Sequence, residues 1–262
     1  MNKIIYCSDL HGNKKLYDKL VSYANSHRSI EAVVIGGDLC PHGRSVNFEE
    51  NIKSQKEFIE SFLIPKIKEI KKDVFLMMGN DDFKVNLKIL EKEEKKGSFK
   101  LLNDKAKKIG SKKIIGYSFV NETPFLLKDW EKLDTKESKQ ITDPKHDIIS
   151  APKTKGTIEQ DMKKMAKADI YVFHCPPFET NLDVLPDKKY VGSKAIRSFI
   201  EHRQPLMTFH GHIHETVISS GEYTDKIGGT ICLSAGSDYL EGILDAIIID
   251  LDNPENNELE MV

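Results

Sequence analysis

The sequence lacks a long apolar run, a paired set of cysteines and an excess of either charge. No stretch approaches the ~20 apolar residues that a membrane-crossing helix needs. The opening residues, MNKIIYCSDLHG, pass straight into a strand-like run and carry no export leader. No membrane partner and a cytoplasmic location are therefore expected. The four cysteines, Cys7, Cys40, Cys175 and Cys232, form no C-x-x-C pair. They are expected as free, small, buried thiols rather than as disulfides or metal ligands. Lys and Arg number 39 against 41 Asp and Glu, a formal charge of −2. A general nucleic-acid binder would show a basic excess, so nucleic acid is not an expected partner. The lysine-rich stretch 84–113 is interrupted by glutamates and reads as a solvated helix face.

What is present is a series of short apolar runs rich in β-branched and aromatic residues. They cover 3–7, 32–36, 74–78, 113–119, 169–173, 206–209, 230–234 and 246–250. Helix-like spacing fills 13–26, 49–71, 83–96, 157–167 and 193–202. Strand and helix alternate in the first half, which predicts parallel pairing there. The strands crowd together over 206–250, where antiparallel pairing is easier. One α/β domain with two packed sheets is expected over 1–262. Residues 121–156 are charged and hold Pro124, Pro144 and Pro152. They are expected to form an insertion over one sheet edge, either a substrate lid or a surface excursion.

The informative residues follow directly on these runs. Asp9 and His11 follow the first, Asp38 the second, and Asn80, Asp81 and Asp82 the third. His174 follows the fifth, and FHGHIHE at 209–215 closes the sixth with His210, His212 and His214 at alternate positions. Alternation puts these histidines on one side of an extended chain. Ligands in open α/β sheets bind beyond the carboxyl ends of strands. Any one of these elements alone is an ordinary cap, turn or surface strand.

Together they run D-x-H, G-D, G-N, H, G-H-x-H, an order that resembles the calcineurin-like metallophosphoesterase superfamily. The stretch 191–215 looks like the small single-domain phosphohydrolases of the Icc type. The resemblance implies a four-layer α/β/β/α sandwich of two mixed sheets flanked by helices. It also implies two divalent metal ions. Asp9, His11 and His214 would bind the first, Asn80, His174 and His212 the second, and Asp38 both. A carboxylate can span ions ~3.5–4 Å apart. Oxygen and imidazole ligands without thiolate suit manganese, iron or zinc. His210 is expected inside the strand end as a hydrogen-bonded partner, and His27 and His202 on helix surfaces.

The activity implied is hydrolysis of a small phosphate ester, with diesters favoured over monoesters. A water bridging the two ions is acidified and attacks phosphorus in line. Most family members carry histidine where this chain has Asp81, and that histidine is usually taken as the leaving-group acid. A carboxylate beside two cations is a poor proton donor. Asp81 then orients a ligand or substrate group, or His42 or His146 supplies the proton, or the leaving group needs none. In the last case aryl diesters are cleaved faster than alkyl ones. Ser193 at a helix start and Arg197 one turn on are further candidates for binding phosphate, with Thr180 and Asn181 nearby. Two other functions compete. A scaffold that has lost catalysis usually lacks ligands, and none is missing here. A DNA nuclease of the superfamily carries DNA-capping and coiled-coil segments, which the short tail after residue 250 does not provide.

Overall fold

The protein is described from a computed structural model covering residues 3–43, 45, 47–125, 129–139 and 155–262. His146, Pro144 and Pro152 lie outside these residues. In chain order the strands are β1 (Lys3–Cys7), β2 (Ile30–Ile35), β3 (Asp73–Leu76), β4 (Lys100–Leu101), β5 (Lys107–Ile109), β6 (Lys112–Tyr117), β7 (Val120–Asn121) and β8 (Glu131–Lys132). They continue as β9 (Ile170–Phe173), β10 (Met207–His210), β11 (Thr224–Ile227), β12 (Thr230–Ser234), β13 (Asp245–Asp250) and β14 (Asn257–Met261). The helices are α1 (Lys14–Ser26), α2 (Phe48–Phe58), α3 (Ile64–Ile67), α4 (Leu87–Glu94), α5 (Ile158–Lys164), α6 (Lys194–Arg203) and α7 (Thr216–Ser220). Among the described residues no helix is long and apolar enough to cross a membrane.

Side-chain alternation sorts each strand between two layers. Ile4 and Tyr6 face inward with Val34, Phe75, Ile247 and Ile249, and meet Ile170, Val172, Met207, Phe209 and Leu233 of the other sheet. Ile5 and Cys7 face outward with Val33 and Leu76, under Leu16 and Leu20 of α1 and Phe58 of α2. On the far side Ile115, Tyr171 and Phe173 pack under Ile158 of α5 and Ile196 and Phe199 of α6. The result is four layers, helix–sheet–sheet–helix. The sheets run β14-β13-β1-β2-β3-β4 and β11-β12-β10-β9-β6-β5.

All eight apolar runs are strands. In the first sheet β1, β2, β3 and β4 are parallel, with β13 and β14 added antiparallel. The expected antiparallel pairing over 206–250 holds for β11 with β12 and for β13 with β1 and β14, but not for β10. Strand β10 is parallel to both β9 and β12. The turn, α7 and β11 between β10 and β12 supply enough chain for a parallel return. The helix expected over 49–71 is interrupted by a wider π turn at Ile59–Leu63 just before Pro65. Proline has no N–H for the α-helical bond, and the wider turn takes up the mismatch.

Candidate metal centre

Parallel strands deliver their carboxyl ends to one edge, and loops from both sheets meet there. The chain turns sharply as each strand stops. Asp9 (φ 55), His11 (φ 41), Asp38 (φ 50) and His212 (φ 69) all adopt left-handed backbone. Such residues cost of order 1–3 kcal/mol each unless their surroundings hold them, and they gather at functional sites. Here backbone bonds hold them. Asp9 N–H donates to Gly37 O (3.0 Å), and His11 N–H to Asp38 O (2.9 Å). The His212 N–H reaches both oxygens of Asp9 at 3.1 Å. The extended reading of FHGHIHE is corrected by the same fact. Strand β10 stops at His210, and the left-handed turn at His212 ends the alternation.

Six side chains converge. Asp9, His11, Asp38 and His214 each offer a ligand atom within 4.8 Å of the others. His11 Nε2 and His214 Nε2 face one another at 2.9 Å. His174 Nε2 lies 3.0 Å from Asn80 Oδ1 and 3.3 Å from Asp38 Oδ2. His174 Nδ1 donates to Gly36 O at 2.9 Å, which leaves Nε2 as the atom that could serve as a ligand. Asp38 is therefore shared between an Asp9–His11–His214 group and an Asn80–His174 group. The seventh residue, His212, sets its ring 5.5 Å from that of His174.

Charge shows what this place would accept. Asp9 and Asp38 are almost fully buried. Among the described residues their ion pairs are to histidines only, with no lysine or arginine. Burial pushes Asp9 up, but His214 and His174 outweigh it and hold the carboxyl at about 2. Burial pulls His174 down, but Asp38 and Asp9 hold it up at about 10. A proton on His174 thus serves as counter-charge, a place a divalent cation can take by displacing it. Burial lowers His11 to about 4 and His212 to about 3, so both are neutral lone-pair donors at pH 7. The donor set, the charge deficit and the fixed His174 tautomer all fit divalent metal.

Asp81 reaches three of these residues, and its N–H donates to Asp38 Oδ1 at 2.9 Å. Its own Oδ1 accepts from Asn80 Nδ2 at 2.9 Å, which turns Asn80 Oδ1 inward. Its Oδ2 is 3.7 Å from His11 Nδ1, a buried atom with no other partner. The same oxygen meets His42 Nδ1 at 2.5 Å. His42 Nε2 is 2.9 Å from the Tyr239 hydroxyl, and its ring stacks on His11 at 4.0 Å. The hydrogen bond that His42 donates to the Asp81 carboxylate raises the His42 pKa above its ordinary value. His42, Tyr239, Glu50, Asn51 and Ser54 border a cleft of about 680 Å³ beside the cluster.

Sequence reasoning did not single out Tyr239, although SAGSDY follows β12 as the other motifs follow their strands. Nor did it assign Asp82 a role. Asp82 is fully buried and accepts from the N–H groups of Leu39, Cys40 and Gly79. It joins the loops after β2 and β3. Burial and the nearby Asp38 raise it to about 7.

Ser193 and Arg197, expected as phosphate contacts, are both engaged by other groups of the protein. Ser193 is fully buried, and its hydroxyl donates to Asp134. The Asp134 carboxylate also accepts from Lys194 N–H, so it already fills the N-terminus of α6. Arg197 binds Glu201 and the carbonyls of Phe178 and Glu179. Thr180 is tied to Asp183 and Pro177. The Asn181 backbone is held by Asp225 and Thr216. His210 is buried between Thr208 and the Cys175 carbonyl. His27 and His202 are exposed on helix ends. All four cysteines are free and buried.

The calcineurin-like phosphoesterase profile matches residues 2–216. One solved structure is 18% identical with a TM-score of 0.71, covering 99% of this chain and 98% of its own. A second, from Thermus thermophilus, is 16% identical with a TM-score of 0.62, over 100% of this chain and 98% of that one. An archaeal phosphodiesterase is 14% identical with a TM-score of 0.50, over 99% of each. At such identities the likeness is one of fold. No curated protein matches the sequence.

Proposed function

The chain belongs to the calcineurin-like phosphoesterase family, and from that premise we propose that it hydrolyses phosphate diesters with a pair of divalent ions, manganese, iron or zinc. The observation that carries this reading is the convergence of Asp9, His11, Asp38, Asn80, His174 and His214 from five strand ends, with no lysine or arginine counter-charge among the described residues. Asp9, His11 and His214 would hold one ion. Asn80, His174 and His212 would hold the other, and Asp38 would lie between. Ions bound there supply an acidified water and neutralise charge growing on the phosphoryl oxygens.

The chain's own residues do the rest. Asp81 orients Asn80 and buttresses His11, rather than giving up a proton. His42, backed by Asp81 and bordering the cleft, would protonate the departing oxygen. The cleft has room for the second ester group that distinguishes a diester.

With manganese added, the protein should bind two ions per chain and turn over bis(p-nitrophenyl) phosphate. Asp38→Asn should cost more than the ~10–100-fold that the outer partners of metal ligands are worth. His42→Gln should slow alkyl diesters by ~10²–10⁴-fold, the usual worth of a general acid, and aryl diesters far less. Equal losses on both ester types would remove His42 from that role. A chain that takes up no metal, or cleaves no phosphate ester when loaded, would overturn the hydrolase reading.

A further inference from the structure

We propose that Asp129 and Trp130 are positioning residues that clamp the loop bearing Asn80, and so fix where Asn80 meets a metal ion. The inference rests on the metal reading above and extends it to a segment that the family motifs do not include.

Two hydrogen bonds grip the loop on either side of Asp81. Asp129 N–H donates to the Asn80 carbonyl at 2.8 Å, and the Trp130 indole N–H donates to the Asp82 carbonyl at 2.9 Å. The Asp129 carboxylate extends the grip. Its Oδ2 accepts from Lys84 N–H and its Oδ1 from Trp130 N–H, both at 2.8 Å. The backbone from 80 to 84 is thus gripped from one side by two consecutive residues nearly fifty positions away in sequence, while Gln55 and Asp38, from the first sheet's side, hold the Asp81 carbonyl, the Phe83 N–H and the Asp81 N–H.

Those two residues are themselves firmly held. Trp130 is buried, yet its φ is +55. A bulky side chain in that region is an outlier that persists only where its surroundings impose it. The Trp130 carbonyl accepts from Val120 N–H at 2.9 Å. The indole meets Phe119 edge-on at 5.3 Å, and the Lys84 ammonium lies 4.6 Å above it. Phe119 and Val120 follow β6, a strand of the second sheet.

This placement gives the clamp its consequence. Asn80 comes from β3 of the first sheet, whereas His174, its neighbour at 3.0 Å, comes from β9 of the second. The distance between them depends on how the two sheets are held together at this end. Asp129 and Trp130 tie the Asn80 loop to the second sheet at that point. A segment serving only to cover the fold would have no need to address both carbonyls that flank Asp81.

The sequence contains one tryptophan, which makes the test direct. Trp130→Phe keeps a ring for packing and removes the N–H. With manganese binding followed by the electron-spin resonance of free Mn²⁺, the variant should keep the tighter ion within two-fold and lose the weaker one ~10-fold or more, on the scale of support lost from a ligand. Thermal stability should change little. In the parent protein the single indole ¹H–¹⁵N resonance should shift as the second Zn²⁺ binds. The proposal is overturned if the variant holds both ions as the parent does. It is equally overturned if both ions weaken together with a fall in melting temperature, or if the indole resonance stays fixed. A variant too unstable to assay leaves the resonance as the deciding measurement. A parent that binds fewer than two Mn²⁺ removes the metal reading and the clamp with it. Two ions in the parent and an unaffected variant remove the clamp alone.

Discussion

Gly79 occupies a place where no other residue fits. A Cβ there would fall on Asp38 Oδ1 and lie 2.6 Å from His174 Cε1. The glycine thus lets the backbone after β3 approach the shared carboxylate. Gly79→Ala should weaken manganese binding at least ~10-fold by displacing Asp38 and His174. Gly97 is the contrast. Its Cβ would meet nothing within 4 Å, but its φ of +83 strains any side chain. Gly97→Ala should cost ~1 kcal/mol of stability and leave metal affinity alone. Manganese titration and thermal unfolding of the two variants separate the effects. The left-handed turns at Asp9, His11, Asp38 and His212 belong to the same scale. None was legible in the sequence, since aspartate and histidine adopt that backbone only when neighbouring bonds impose it.

Helix α6 shows how an element can contradict its own sequence signal. Its N-terminus carries serine and no acidic residue in the first turn, a pattern open to phosphate. Asp134 closes that opening from 59 residues away in sequence, accepting from the Ser193 hydroxyl and the N–H groups of Lys194 and Ala195. Asp134→Ala should leave those donors without an acceptor and cost ~1–3 kcal/mol in urea unfolding. The rate on a model diester at saturation should stay at the parent value, because Asp134 stands outside the metal cluster. A matching loss of turnover would return the start of α6 to the set of substrate contacts. The short strands β4, β5, β7, β8 and β11 and the polar β14 escaped detection for a related reason. Their pairing comes from neighbours, and their composition carries little strand signal.

At the scale of the whole molecule, the two sheets must stay in register for the loops to meet. Tyr6 helps to hold them. It rises from β1 of the first sheet, packs on Phe209 of the second at 4.9 Å, and donates its hydroxyl to the His210 carbonyl at 2.7 Å. Gly36 leaves room for that hydroxyl. Tyr6→Phe removes a buried bond between the layers and should lower stability by ~1–3 kcal/mol. The urea midpoint should fall with no change in slope, since the surface exposed on unfolding is the same.

By itself the sequence determined the layered α/β class, the eight principal strands and the run of carboxylate, amide and imidazole residues at strand ends. Those are local properties, written in alternation, in β-branched composition and in polar residues that follow apolar runs. Only the tertiary structure decided that His42 meets Asp81, that Asp134 closes α6, and that Trp130 reaches the carbonyl of Asp82. Such pairs are set by how two twisted sheets stack and where each loop leaves its strand, so their partners lie far apart in the chain and share no periodic signal.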